Sequence, residues 1–159
     1  MKVEEIMSVQ LKTCRAEDSL RAVGQSMWDH DIGLLPVISE QGKLRAVITD
    51  RDIAIAASMS GRTLSEMTVA EAMSSRVVCV LPTDDLGQTA ERMGAEQLHR
   101  IPVVDGGGFL RGIVTVNDLA QHLAQHLRNG SAGSGLTAEQ VATTVAAIAR
   151  ARSAQRAAS

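Results

Sequence analysis

The feature that most constrains this chain is an internal repeat. Residues 46–54 read AVITDRDIA, and residues 112–120 read GIVTVNDLA. The threonines of the two segments, Thr49 and Thr115, are 115 − 49 = 66 residues apart, and the same offset aligns many further identities without a gap. They include Val3 with Val69, Glu5 with Glu71, Met7 with Met73, Asp18 with Asp84, Met27 with Met93, Pro36-Val37 with Pro102-Val103 and Gly42 with Gly108. A fixed offset indicates a repeated supersecondary unit, so we predict a tandem duplication.

Both repeats predict the same element order, β-α-β-β-α, from apolar periodicity and from cap and turn residues. In the first repeat these are a short strand near Thr13, a helix capped by Asp18 or Ser19, strands at 34–38 and 44–49, and a helix from Thr49 to Gly61. In the second they are a short strand near Val78, a helix capped at Asp84, strands at 100–104 and 110–115, and a helix through Leu127. Neither repeat alone can cover both faces of its sheet. We therefore predict an α+β fold in which the repeats pack sheet to sheet about a pseudo-twofold axis.

The predicted domains are a first repeat at 1–66 and a second repeat at 67–127, followed by two further segments. Residues 128–135 read RNGSAGSG, a composition typical of a flexible linker, which we place at 128–136. Thr137 and Gln140 have capping-box spacing and open an alanine-rich helix or tail at 137–159. Its stripe of Val141, Val145 and Ile148 is thin, so this helix could dock on its own or a neighbouring chain, bind a partner, or fray.

Composition and charge exclude several classes of function. Aromatic residues make up 1% of the chain, which removes the stacking platforms of single-strand nucleic-acid binders. The net charge of −2 gives no general attraction to nucleic acid or to an anionic membrane. No apolar run approaches the roughly 20 residues of a membrane span, and the N-terminus lacks a signal peptide's apolar core. No nucleophile–base motif or phosphate-binding loop occurs. We expect a soluble cytoplasmic protein that is not an enzyme.

Two sets of side chains could bind a metal or respond to oxidation, and each also has a structural explanation. Cys14 and Cys79 fall at neighbouring positions of the two repeats, where small buried hydrophobic residues or a thiol switch would both fit. His122 and His126 are spaced i, i+4 on the last helix of the second repeat, as zinc ligands often are. The sequence fixes no third ligand for them, so we predict no metal site.

The repeated pattern resembles a known family. An apolar-x-Pro-Val strand, a glycine turn and a second strand ending in Thr-x-x-Asp look like the cystathionine β-synthase (CBS) domain, and the tandem pair looks like a Bateman module. The resemblance covers roughly residues 1–127. The stretches DHDIGLLPV (29–37) and TDRDI (49–53) are similar to stand-alone bacterial CBS-pair proteins, among them the small actinobacterial hypoxic-response type. Family members commonly bind adenosine nucleotides or S-adenosylmethionine in two clefts between the repeats.

The Thr-x-x-Asp segments make such binding chemically intelligible. Each begins a helix, where free N–H groups and the positive end of the dipole favour anions. Thr49 or Thr115 could donate to a phosphate, and Asp52 or Asp118 could accept from ribose hydroxyls. Thr-x-x-Asp is equally a capping box that needs no ligand. If ligand binding were its role, Asp52→Ala should abolish nucleotide binding and leave the melting temperature nearly intact.

The resemblance also suggests which residues share each cleft. One cleft combines Thr49, Arg51 and Asp52 with Cys79-Val80 and with His99-Arg100, a pair that resembles a phosphate-contacting pair of some relatives. The other combines Thr115, Asn117 and Asp118 with Thr13, Cys14 and Leu34. Because Asn117 stands where the first repeat has Arg51, the second cleft should hold phosphate more weakly.

These expectations favour a regulatory sensor. An adenosine-containing ligand (AMP, ADP, ATP or S-adenosylmethionine) would change the angle between the repeats and so bias an unknown regulated protein. The resemblance implies a homodimer, and no other cofactor is expected. The alternatives are a ligand-free, stress-associated structural or interaction protein and a thiol-based redox sensor.

Overall fold

The structure is a computed structural model that describes residues 1–129 and 135–157, with side chains described as far as Arg150. Over these residues helices and strands are mixed, as predicted. The helices are α1 (Leu20–Asp29), α2 (Asp50–Ser60), α3 (Val69–Ala72), α4 (Leu86–Ala95), α5 (Val116–Asn129) and α6 (Ala138–Ala157). The strands are β1 (Leu34–Ile38), β2 (Leu44–Thr49), β3 (Arg100–Val104) and β4 (Leu110–Thr115), with a 3-10 helix at Val3–Glu5. All four strands have their predicted bounds, and the predicted α+β class with two repeats and a C-terminal helix is confirmed.

Two compact units divide the chain, and each contains a short segment from the other repeat. The first-repeat unit comprises Leu11–Val78 and Gly107–Leu110. The second-repeat unit comprises Met1–Gln10, Cys79–Gly106 and Arg111–Ser159. The boundaries at 66 and 127, which describe the duplication of the sequence, stay a prediction.

In the first-repeat unit, an antiparallel hairpin packs against α1. Strands β1 and β2 pair with Leu34 opposite Thr49 and Leu35 opposite Ile48, and a bulge lies between Val37 and Ile38. The buried core side chains include Leu20, Val23, Met27, Leu35, Val37, Ile48 and Val69. Burying a side chain of this size contributes about 1.5–3 kcal/mol, so an aliphatic core is sufficient despite the near absence of aromatic residues.

Helices α1 and α4 begin at side-chain caps, one of which differs from its prediction. Ser19 caps α1, because its Oγ accepts a hydrogen bond from the Ala22 N–H at 3.2 Å. In the second repeat the cap is Asp85, which accepts from the Gln88 N–H at 3.1 Å. The predicted cap, Asp84, is wrong by one residue because its carboxylate closes the preceding turn by accepting from the Leu81 N–H at 2.8 Å.

The short strands predicted near Thr13 and Val78 are reduced to one isolated parallel bridge in each repeat. Cys14 bridges to Val37, and Val80 bridges to Val103. A turn follows each bridge at once: the Asp18 N–H donates to the Arg15 carbonyl at 3.2 Å, and the Asp84 N–H donates to the Leu81 carbonyl at 3.1 Å. These turns end the pairing before a longer strand can form.

The N-terminal ten residues complete the second-repeat unit. The Val3 side chain is fully buried, and its N–H donates to the Asp84 carbonyl at 3.0 Å. Ser8 forms an antiparallel bridge to Ile113 in β4. A Cβ on Gly112 would lie 2.7 Å from the Met7 sulfur, so a side chain there would displace the Met7 side chain.

The tip of the second hairpin belongs to the first-repeat unit. The Leu44 N–H donates to the Gly108 carbonyl at 3.0 Å, and the Leu110 N–H donates to the Gly42 carbonyl at 3.3 Å. Gly42 and Gly108 have φ values of 83° and 80°, a conformation that glycine adopts without strain. The Lys43 ammonium lies 5.2 Å from the centroid of the Phe109 ring.

Helix α6 docks on α4 and α5 of its own unit. The predicted capping box forms, with the Thr137 N–H donating to Gln140 at 2.9 Å and the Gln140 N–H donating to Thr137 at 3.1 Å. The docked face is Val141, Thr144 and Ile148, whereas Val145 of the predicted stripe is 45% exposed. At 100° per residue Thr144 and Val145 lie on opposite sides of the line from Val141 to Ile148, and the contact with α4 falls on the Thr144 side.

A buried threonine and a glycine fix the contact between α6 and α4. The Thr144 hydroxyl donates to the Ala90 carbonyl of α4 at 2.9 Å, which satisfies the hydroxyl in a buried position. A Cβ on Gly94 would lie 3.3 Å from the Thr144 Cα, so the absence of a side chain at Gly94 allows the two helices to come close.

The predicted linker at 128–136 and the predicted absence of a membrane span can each be compared with the described residues. The first two residues of the predicted linker, Arg128 and Asn129, are the last residues of α5, and residues 130–134 lie outside the described residues. No helix in the described ranges combines the length and the apolar character needed to cross a bilayer.

Candidate functional site

The Thr49–Asp52 segment begins α2 with a closed hydrogen-bonded cap. The Asp52 Oδ2 accepts from the Thr49 N–H at 2.8 Å and from the Thr49 hydroxyl at 2.7 Å. In return the Thr49 Oγ1 accepts from the Asp52 N–H at 3.2 Å. The arrangement is a reciprocal capping box, so the structural alternative is confirmed for this segment.

The Thr115–Asp118 segment begins α5 with the same geometry. The Asp118 Oδ2 accepts from both the N–H and the hydroxyl of Thr115, each at 2.7 Å. The Thr115 Oγ1 accepts from the Asp118 N–H at 3.2 Å. The two helix starts therefore have the same local bonds, although the residues between threonine and aspartate differ.

These caps change what an aspartate substitution should do. Loss of a capping side chain costs about 0.5–2 kcal/mol. We therefore now expect Asp52→Ala to lower the melting temperature, because the carboxylate caps α2 whether or not a ligand binds.

The caps leave part of each carboxylate unused. Both hydrogen bonds to each aspartate end on Oδ2, and Oδ1 of Asp52 and Asp118 accepts none from any residue that the structure describes. Both side chains are half-buried. Each aspartate can thus hold its helix start with one oxygen and present the other to a hydroxyl donor.

Between threonine and aspartate the first segment has a charged pair, Asp50 and Arg51, and the second has the uncharged Val116 and Asn117. Arg51 and Asn117 are both exposed in the first turn of their helices. The Arg51 N–H donates to the Asp50 carboxylate at 2.7 Å, which holds a second acidic group at the start of α2. Sequence reasoning did not single out Asp50, whose position in the first helical turn was the available signal.

Three predicted site residues lie in the same unit as Thr49. Leu34 is half-buried and pairs with Thr49 across the hairpin. Thr13 is exposed and precedes Cys14, whose N–H donates to the Pro36 carbonyl at 3.0 Å. The start of β1, the end of β2 and the Cys14 bridge thus belong to one small sheet.

The other predicted residues lie in the same unit as Thr115. The carbonyl of His99, an exposed residue, accepts from the Val116 N–H at 3.0 Å, and Arg100 begins β3. Val80 is buried, and Cys79 is half-buried, with its carbonyl accepting from the Arg92 guanidinium at 3.2 Å. The predicted combination of residues from both repeats in each cleft stays a prediction.

The two cysteines are free thiols with different surroundings. Burial, followed by the nearby Asp18 carboxylate, raises the pKa of the Cys14 thiol from 9.0 to about 12. Its sulfur contacts the Pro36 carbonyl at 3.8 Å. A thiol that stays protonated is a poor nucleophile, so Cys14 has the properties of a buried hydrophobic residue.

The predicted histidine pair does form on α5. The imidazole rings of His122 and His126 lie 4.8 Å apart at their centroids, and the Nε2 of His122 is buried without a hydrogen-bond partner. In the described part of the chain, no group of three or more potential metal ligands assembles. Two imidazoles supply at most half of a tetrahedral zinc site.

The paired repeats, each with a two-stranded hairpin and a Thr-x-x-Asp helix start, define a class of tandem α+β domain. The sequence profile of the CBS domain matches residues 3–58 and 69–125. The chain belongs to the CBS domain family and carries two copies of that domain.

Two curated proteins illustrate the relationship. The chain is 35% identical over 135 residues to the CBS domain-containing protein YhcV of Bacillus subtilis, which covers 85% of this chain and 92% of YhcV. It is 30% identical over 122 residues to hypoxic response protein 1 of Mycobacterium tuberculosis, which covers 77% of this chain and 85% of that protein. The predicted resemblance to the hypoxic-response type is confirmed.

Three solved structures share the fold. The CBS domain pair of protein MJ0100, in complex with 5′-methylthioadenosine and S-adenosyl-L-methionine, has a TM-score of 0.69 and 28% identity, covering 82% of this chain and 97% of that chain. Hypoxic response protein I with two coordinated zinc ions has a TM-score of 0.69 and 30% identity over 77% of this chain and 99% of that chain. The cytosolic domain of the Mg2+ channel MgtE in complex with ATP has a TM-score of 0.67 and 27% identity over 77% and 48% of the respective chains.

Proposed function

We propose that this protein is a regulatory sensor that binds an adenosine-containing small molecule at its two Thr-x-x-Asp helix starts. The observation that carries the proposal is that Oδ1 of Asp52 and of Asp118, in the first turns of α2 and α5, accepts no hydrogen bond from any described residue. Support comes from the related domain pair of MJ0100, solved with two adenosine-containing ligands, and from the MgtE domain, solved with ATP.

Each part of the ligand has a matching group in the chain. A ribose hydroxyl donates to the free aspartate oxygen, and a phosphate or another anionic group lies towards the positive end of the helix dipole. The cap bonds remain in place, so binding requires no rearrangement of the helix start. His99-Arg100, Cys79-Val80, Thr13, Cys14 and Leu34 are proposed as the further contacts.

The two sites are proposed to differ in how strongly they bind phosphate. Arg51 adds a guanidinium group in the first turn of α2, where α5 carries the neutral Asn117, and the neighbouring Asp50 balances its formal charge. A charge-assisted hydrogen bond to phosphate is stronger than a neutral one. The first site should therefore prefer ligands with more phosphate, and the second should be less sensitive to phosphate number.

A second copy of this chain is the proposed assembly partner. Trp28 on α1 is 84% exposed and Met59 on α2 is 82% exposed, both in the first-repeat unit. Helices α1 and α2 contact each other, and contiguous exposed apolar patches are typical of interaction sites in soluble proteins. We place the homodimer contact on this face and propose that ligand binding is transmitted to a separate regulated protein.

Isothermal titration calorimetry with adenosine, AMP, ATP and S-adenosylmethionine tests the proposal. Asp52→Asn and Asp118→Asn each keep a cap acceptor and replace the free oxygen by an amide. Each should remove one binding event and shift the melting temperature little. Loss of stability with unchanged binding would contradict the proposal.

An exchange of the two intervening residues tests the predicted asymmetry. Arg51→Asn should lower ATP affinity about tenfold, and Asn117→Arg should raise it at the other site. Adenosine, which has no phosphate, is the internal control, because its affinity should change in neither variant. Silence of the unaltered protein towards all four ligands would favour the alternative of a ligand-free interaction protein.

The alternative of a thiol sensor is disfavoured at Cys14, because a thiol whose pKa is raised to about 12 is almost entirely protonated at neutral pH.

A metal ion at the histidine pair is a second candidate function. The buried, unpartnered Nε2 of His122 favours it, and hypoxic response protein I was solved with two zinc ions. Zinc titration of the unaltered protein and of His126→Gln tests it, and equal zinc affinity of the two would exclude the pair.

A further inference from the structure

A cavity lies in the first-repeat unit, at the end of the hairpin opposite Thr49. It has a volume of about 410 Å³ and is lined by residues 15–17, 37–41, 45 and 73. This size lies in the range of small-molecule sites. Thr49, Arg51 and Asp52 do not line it, so it is distinct from the site proposed above.

Two arginines line this cavity without a partner of their own. Neither Arg15 nor Arg45 forms a guanidinium hydrogen bond or ion pair with any residue within the described ranges. Arginine stays charged at any physiological pH, and its planar fork matches a carboxylate or phosphate. Two such groups at one cavity give it unused capacity to bind an anion.

The equivalent place in the second repeat explains why Arg45 is unpaired. The offset of 66 residues aligns Arg45 with Arg111 and Ser39 with Asp105. Arg111 forms an ion pair with Asp105, with guanidinium–carboxylate distances of 2.6 and 2.8 Å. The first repeat keeps the arginine and lacks the carboxylate. It also has Arg15 where the second repeat has Leu81.

The remaining lining residues narrow the class of ligand. Glu17 and Glu40 also line the cavity, so its formal charge is balanced and a purely anionic ligand would meet repulsion as well as attraction. Val37, Ile38 and Met73 provide an apolar part. A small molecule with a carboxylate, an ammonium group and an aliphatic portion fits all three kinds of group.

We propose that this cavity binds a free α-amino acid with an aliphatic side chain. The carboxylate lies between the guanidinium groups of Arg15 and Arg45, and the ammonium group lies towards Glu17 and Glu40. The side chain contacts Val37, Ile38 and Met73. The site works independently of the Thr-x-x-Asp helix starts and gives the chain a second, chemically different input.

Calorimetry on the full chain with L-leucine as probe tests the proposal, with isocaproate, isoamylamine and inorganic phosphate as matched comparisons. Isocaproate lacks the ammonium group of leucine, and isoamylamine lacks its carboxylate. L-Leucine should bind more tightly than all three. No binding of L-leucine, or equal binding of isocaproate or phosphate, would overturn the proposal.

The sharpest variant transfers the partner found in the second repeat. Ser39→Asp introduces a carboxylate that can pair with Arg45 as Asp105 pairs with Arg111, and it can still accept the hydrogen bond that the Lys43 N–H donates to Ser39 at 3.2 Å. It should weaken leucine binding about tenfold or more without loss of thermal stability.

Arg15→Ala and Arg45→Ala should weaken leucine binding to a similar degree. The matched control is Asp105→Ser, which makes the reciprocal change in the other repeat and should leave leucine affinity unchanged. Asp52→Asn should also leave it unchanged, which separates this site from the adenosine site. Unchanged leucine affinity in Ser39→Asp would overturn the assignment of the cavity.

Discussion

The two repeats begin their last helices with the same bonds and differ in what surrounds those helices. The distances of the Thr49–Asp52 cap and of the Thr115–Asp118 cap agree within 0.1 Å. In contrast, α4 and α5 of the second-repeat unit are packed against α6, whereas Trp28 and Met59 on the equivalent α1 and α2 are exposed. The same cap bonds therefore begin helices whose outer surfaces differ: one pair of helices is covered by α6 and the other is exposed. Each difference can be tested by changing a residue of one repeat to its counterpart in the other.

The cysteines should give the largest difference between the repeats. An increase in thiol pKa from 9.0 to about 12 lowers the thiolate fraction at neutral pH about a thousandfold. In the variant Cys79→Ser, Cys14 should react with a chromogenic disulfide correspondingly more slowly than a free thiol. Its rate should rise about tenfold per pH unit until the pH approaches 12.

The variant Cys14→Ser provides the comparison, because it retains the half-buried Cys79 alone. Similar rates for the two single-cysteine variants at neutral pH would show that Cys14 is accessible and ionised, contrary to its burial.

Replacing Gly94 by the residue at the equivalent position of the first repeat should give the next largest effect. Gly94→Trp places a ring where a Cβ already meets Thr144 at 3.3 Å, so α6 cannot dock. The buried surface of Val141 and Ile148 would be lost, at a cost of about 3 kcal/mol in unfolding free energy. Urea unfolding measures the cost, and limited proteolysis reports exposure of α6.

Gly106→Trp is the matched control, because nothing lies within 4 Å of a Cβ at Gly106. It should unfold at nearly the same urea concentration as the unaltered protein. If Gly94→Trp behaved like this control, the docking of α6 would not depend on the close approach to α4.

Trp28→Ala should weaken the proposed homodimer. A buried tryptophan at an interface commonly contributes about 2 kcal/mol or more, which corresponds to a dissociation constant about thirtyfold higher. Sedimentation equilibrium over a range of concentrations measures the change. Val9→Ala, which alters another exposed apolar residue in the second-repeat unit, should leave the dimer unaffected. A protein that stays monomeric throughout would refute the assignment.

The helix caps should give the smallest difference between the repeats. Asp52→Ala and Asp118→Ala should each lower the unfolding free energy by about 1 kcal/mol, because each removes the same set of bonds. The two losses, measured by thermal or urea unfolding, should agree within about 0.5 kcal/mol. A much larger loss in one variant would mean that its aspartate has a further structural role.

Much of the fold was predictable because the duplicated sequence carries each strand, turn and cap pattern twice. The bounds of all four strands, the Thr49 and Gly61 ends of α2 and the capping box of α6 followed from turn and cap residues. The cap of α4 was not predictable, because Asp84 and Asp85 are equally good capping residues. Asp85 is the cap because the Asp84 carboxylate accepts from the Leu81 N–H. The burial of Thr144 was equally hidden, since a hydroxyl enters a core only where an acceptor such as the Ala90 carbonyl is in reach.

The candidate site was less predictable than the fold. A Thr-x-x-Asp pattern cannot distinguish a cap from a ligand contact, and the structure shows only that Oδ2 of Asp52 accepts the cap bonds. The lack of an ion pair at Arg45 could be recognised only by comparing the repeats. Ser39 stands where the second repeat has Asp105, which pairs with Arg111. A site is predicted more easily from a motif that is present than from a partner residue that one repeat lacks.

The exchange of short segments between the two units has a consequence for biosynthesis. Residues 1–10 are synthesised before residues 79–106 and 111–159, yet the carbonyls and core that receive Val3 and Ser8 belong to those later residues. The hairpin tip at 107–110, in turn, completes the earlier half. Neither half can finish folding while the other is still being made. Separate expression of residues 11–78 and 79–159 should therefore yield two incomplete fragments that gain order when they are mixed together with the N-terminal peptide.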